Sequence, residues 1–173
     1  DYTWYDSDSC VVPREERYVL TDLGVRQYGA VRKSEEKEQL LASRSYCPTQ
    51  VRTDHGNGEI CHSNLMAKIV VLLTNKIASL DPEGIGLEME GGKPGWCDAL
   101  NGLPGILGSS INESAEVRRL AVFVQDVLKE TDPEKTVVLP EEAAEFFDVI
   151  AGLLGDQVTG MDYWNRSNDA KEA

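Results

Sequence analysis

One segment limits the fold of this chain more than any other. Between Ser63 and Leu80 the apolar residues are Leu65, Met66, Ile69, Val70, Leu72, Leu73, Ile77 and Leu80. On a helix they cover more than half the circumference, and a helix apolar that far round is buried between layers rather than laid on a surface. Ser63 or Asn64 supplies the start. Asp81-Pro82 supplies the stop, because the residue before a proline is pushed out of helical geometry.

Two further long helices follow from the same periodicity. Ser110-x-x-Glu113 is a candidate capping box for a helix over about 113–130, with Val117, Leu120, Ala121, Val124 and Leu128 as its stripe. Phe123 and Val127 add a second apolar edge. Pro140 opens a third helix, with Glu141 and Glu142 at the positive end of its dipole and Gly155 as its stop. Its core face is Ala143, Phe146, Phe147, Ile150 and Leu154. A shorter helix over Glu35–Ser43 takes Ser34 as its N-cap, with Lys37 where a capping box would want Glu or Gln. Residues 1–30 read as loop plus short extended pieces, 52–60 as a turn, and the last dozen residues as a frayed end.

The expected fold is therefore mostly α. Three long helices with such broad faces cannot cover one another, so residues 1–173 are expected to be a single piece of a larger helical array. The start at Asp1 rather than Met agrees with a processed chain or part of something longer.

Charge narrows the partners. With 17 basic and 30 acidic residues the net charge is −13, which repels phosphate backbones, and Arg118-Arg119 and Arg32-Lys33 are only isolated pairs. No nucleic-acid partner is expected. No signal peptide and no apolar run of about 18 residues occurs, so no membrane partner is expected either, and a cytoplasmic location is. Cys10, Cys47, Cys61 and Cys97 form no disulfide framework, and reduced thiols are the default. Cys47, His55, Cys61 and His62 lie close together, but their spacings fit no structural zinc pattern, so neither metal nor cofactor is expected.

Between the first two long helices lies the stretch GIGLEMEGGKPGWCDALNGLPGILG, Gly84 to Gly108, which holds eight of the fifteen glycines. Loops this long in a compact domain are uncommon and often functional, and its Trp, Leu, Met and Ile content is too high for a solvated linker. Residues 84–112 are thus the candidate active-site loop. Sugars are held by aromatic faces and by carboxylates and amides that take up hydroxyls, and glycosidic cleavage needs a carboxylic acid at the leaving oxygen. Trp96, Asp98, Asn101, Glu88, Glu90 and Lys93 supply those parts. Plain alternatives exist for several: Trp96 as a core plug, Asp98 as a turn cap, Glu88 and Glu90 as the polar face of a short strand.

PGWCDALNG followed by NESAEVRRLAVFVQDVL resembles the GDWNDGMN motif and its following helix in the cellobiose phosphorylase family. The resemblance covers about residues 84–130. It implies an (α/α)6 barrel with the loop at its mouth, and places Trp96, Asp98 and Asn101 on the family's Trp, second Asp and Asn. Asp98 is then the general acid of an inverting glycoside phosphorylase acting on a β-linked glucoside or oligosaccharide. Inorganic phosphate attacks as co-substrate, so one carboxylate suffices. Trp96 stacks on sugar, Asn101 binds a hydroxyl or orients Asp98, and Glu88, Glu90 and Lys93 are subsite residues. A homodimeric parent is a further expectation. An inverting hydrolase of the same scaffold needs a second carboxylate about 6.5–9.5 Å away, Glu88 or Glu90. A non-catalytic helical binding protein is the remaining alternative, and 173 residues are too few to close the barrel, so an isolated piece is expected to be inactive.

Overall fold

A computed structural model describes residues 2–22, 24–27, 29–88, 109–132 and 134–173. The N-terminal third is built of short antiparallel pairs. Tyr2–Thr3 (β1) pairs with His62–Ser63 (β6), Ser9–Val11 (β2) with Val31–Lys33 (β5), and Tyr18–Thr21 (β3) with Gly24–Gln27 (β4). A single helical turn, Arg14–Arg17 (α1), joins β2 to β3, and Glu35–Ser43 (α2) follows β5. The Arg44 side chain is buried and donates to Asp6 and to the carbonyls of Pro48, Gln50 and Gly56, fixing the coil that leads to β6.

The long helices follow: Leu65–Ile77 (α3), Ile111–Lys129 (α4), Glu141–Gly155 (α5) and Gly160–Glu172 (α6). Their starts are chemical. Ser34 Oγ accepts from the Lys37 N–H, Asn64 Oδ1 from the Ala67 N–H and Ser110 Oγ from the Glu113 N–H, each supplying an acceptor for an otherwise unpaired first-turn donor. At α4 only half of the capping box forms, since the Glu113 carboxylate reaches Lys76 at 2.5 Å. Helix α3 packs against both α4 and α5, and α5 packs against α6. The core gathers Ala78, Ile150, Leu153 and Tyr163, with Ile77, Leu80, Phe146 and Val158 around it.

The expected (α/α)6 barrel is not what forms. Among the described residues there are six helices, one a single turn, and four two-stranded ladders, with no ring of helix pairs. The reason lies in residues 2–63, whose short extended runs close on one another instead of supplying helix pairs. Helix α3 is also less covered than its periodicity implies. Ala67 and Thr74 are buried, but Leu65 and Leu72 stay 53% and 48% exposed. The C-terminal residues, expected to fray, form α6, which buries Tyr163, Ser167 and Asn168.

Candidate functional site

The Gly-rich stretch leaves α3 through a tight turn. Gly84 takes φ +67°, which an L side chain rarely adopts, and its N–H donates to the Asp81 carbonyl. The Asp81 carboxylate accepts from the N–H groups of Ile85 and Gly86 at 3.1 and 3.0 Å. Burial pushes this carboxyl up, but hydrogen bonds from the Ser109 hydroxyl and the backbone of Ile85, Gly86 and Glu83 outweigh it and hold it below the usual carboxylate range.

Next comes Leu87–Glu88 (β7), paired antiparallel with Ser109–Ser110 (β8), Leu87 opposite Ser110 and Glu88 opposite Ser109. Leu87 is buried, and the Glu88 N–H donates to the Ser79 carbonyl. The ladder sets Glu88 beside Ser109, directly ahead of α4. A Cβ at Gly86 would lie 2.8 Å from Ser109 Cβ, so this approach of backbone to backbone requires glycine.

Of the six residues singled out in the sequence, Glu88 is the one within the described residues. Trp96, Asp98, Asn101, Glu90 and Lys93 lie outside them. Glu88 Oε1 accepts from Trp164 Nε1 of α6 at 2.6 Å. The indole is held in turn by the Tyr18 ring, edge-on at 6.1 Å between centroids, and by the Arg14 guanidinium, 5.7 Å from the ring centre. Arg14 and Arg17 reach the far end of α6, where Arg14 pairs with Asp169 and Arg17 Nη2 lies 3.0 Å from Glu172. Trp164, Arg14 and Arg17 escaped the sequence reading because nothing local links residues some 155 positions apart.

Glu88 also lines a cavity of about 720 Å³ between β2, β5, α3, α5 and the end of α6. Val31, Val71, Leu72, Phe146 and Val149 form its apolar walls, and Arg17, Lys76, Glu113, Glu142, Glu145 and Glu172 its charged ones. A smaller groove of about 450 Å³ runs between α3 and α4, floored by Leu72, Leu73, Val117, Leu120 and Phe123. Cys10, Cys47 and Cys61 are free thiols, and among the described residues no three His, Cys, Asp or Glu side chains converge as metal ligands. No described helix is long and apolar enough to cross a membrane. Compared with protein-family models, with curated proteins and with solved structures, the chain matches none.

Proposed function

We propose that this protein acts on glycosidic bonds, with residues 89–108 as the acid-bearing segment and Asp98 as the proton donor to the leaving oxygen. The observation that carries this is the sequence itself. Trp96, Asp98 and Asn101 stand in the order of the phosphorylase motif, and Glu113, Ser114, Leu120, Ala121 and Phe123 follow them on one helix. The β7–β8 pairing supports the reading, since it sets Glu88 and Ser109, the described residues flanking the segment, side by side at the head of that helix.

Asp98 would have to hold a proton near neutral pH, which requires a raised pKa. Trp96 offers a face to the sugar, Asn101 takes a hydroxyl, and Glu90 and Lys93 contribute at the edges. The phosphorylase motif is what favours inorganic phosphate as the attacking group, with inversion; Glu88, which accepts from Trp164, and Glu90 are the carboxylates an inverting hydrolase would use instead. A cytoplasmic setting, where thiols stay reduced, accords with the free cysteines.

The test is to incubate the protein, as the cell makes it, with β-linked glucosides in the presence and absence of phosphate. Phosphate-dependent release of a sugar 1-phosphate is expected, with most turnover lost in Asp98→Asn. Turnover unchanged by that substitution, or absent under every condition, would overturn the assignment.

A further inference from the structure

We propose that the 720 Å³ cavity beside α5 is a docking groove for a basic, amphipathic peptide segment of a partner protein. Its walls are apolar and open to water: Leu72, Val31 and Val149 are 48%, 48% and 45% exposed although they face one trough. Grouped apolar side chains left in solvent mark interaction surfaces.

Charge selects the partner. Residues 1–80 carry ten Lys and Arg against eleven Asp and Glu, whereas residues 81–173 carry seven against nineteen. Almost the whole net charge therefore belongs to the part that supplies α4, α5 and α6. Within the groove, Arg17 is already paired with Glu172 and Lys76 with Glu113, and Lys171 is engaged as well. Glu142 and Glu145, on the rim, form no ion pair among the described residues. The site thus presents unpaired negative charge above an apolar floor, complementary to alternating cationic and apolar side chains.

A phosphate-bearing ligand would meet Glu142 and Glu145 at the rim.

The test uses three synthetic amphipathic peptides with the same apolar residues and with Lys, Gln or Glu at the polar positions. Binding is read by fluorescence anisotropy at low and moderate salt. The Lys peptide is expected to bind best and to weaken with salt. The double variant Glu142→Gln/Glu145→Gln is expected to weaken it by roughly tenfold. Glu35→Gln/Glu36→Gln, which removes the same charge from the start of α2, is expected to leave it unchanged. Val149→Asn, which alters the floor without touching charge, should weaken Lys and Gln peptides alike. The proposal is overturned if no peptide binds, if Lys and Gln peptides bind equally, or if the α2 pair weakens binding as much as the groove pair. That last result would mean general attraction to an acidic chain. Circular dichroism of each variant separates lost binding from lost folding.

Discussion

Trp164 donates its indole N–H to Glu88 at 2.6 Å, so helix α6 holds the first strand of the ladder that closes the Gly-rich segment. Trp164→Phe removes the donor and also part of the aromatic surface that meets Tyr18 and Arg14, so the hydrogen bond's share is read from its coupling to Glu88. Because the acceptor is a carboxylate, a loss of roughly 1–3 kcal/mol is expected. A double-mutant cycle with Glu88→Gln, followed by denaturant unfolding, checks it. Strictly additive effects would show that the two side chains are not coupled.

Gly86→Ala should loosen the same ladder from the other side. The new Cβ would meet Ser109 Cβ at 2.8 Å and the backbone of Ser109 and Ser110 at 3.1 Å, and backbone cannot swing aside as a flexible side chain can. The expected cost is about 1–3 kcal/mol, with faster amide exchange at Ser109 and Ser110. A change below about 0.5 kcal/mol, typical of an uninvolved surface site, would refute the close approach.

Asp81→Asn gives a pH signature. The folded-state pKa of Asp81 is depressed, so its contribution is present above the ordinary value of 3.8 and is lost as pH falls through the folded value. Wild type should exceed the variant by on the order of 1 kcal/mol near neutrality, and the gap should close in acid below 3.8. Thermal unfolding from pH 7 down to about pH 3 measures it. A gap that persists unchanged in acid would show that the carboxylate charge is not what holds the turn.

Tyr163 tests the core. Its hydroxyl donates to the Ile77 carbonyl at 2.8 Å, and burial pushes its phenol up to about 12. The raised value means that stability is intact below the unfolded value near 10 and declines as pH rises toward 12. An absorbance titration of the chain's six tyrosines should include a late phenolic step near pH 12. Tyr163→Phe should remove that late step and cost about 1 kcal/mol. Common ionisation of all tyrosines near pH 10 would contradict the burial.

What was legible in the sequence was local. Ser34, Asn64 and Ser110 each stand directly before a helix, because a cap satisfies a donor only three residues on, and Pro140 stands before α5 because its fixed φ and missing N–H suit a helix start. Helix α6 was not legible, since the residues it buries include Ser167 and Asn168, which break the apolar stripe that periodicity relies on. Its anchors are ion pairs to Arg14 and Arg17, which no local spacing encodes. The barrel failed for a related reason: apolar faces on α3, α4 and α5 report that cover is needed, not which topology supplies it. At the candidate site, the sequence singled out residues by their chemical type, while the β7–β8 ladder came from a pairing between Leu87–Glu88 and Ser109–Ser110 that no local pattern encodes.

The clamp between α1 and α6 also bears on how the chain is made. Arg17 and Glu172 are 155 residues apart, so the N-terminal strand pairs emerge from the ribosome long before the carboxylates that neutralise their arginines. Loop closure over such a span costs about 4–5 kcal/mol of entropy before any contact is made. The ion pairs of Arg14 and Arg17 can therefore form only after α6 has been made, well after the strand pairs beside them have closed their own hydrogen bonds.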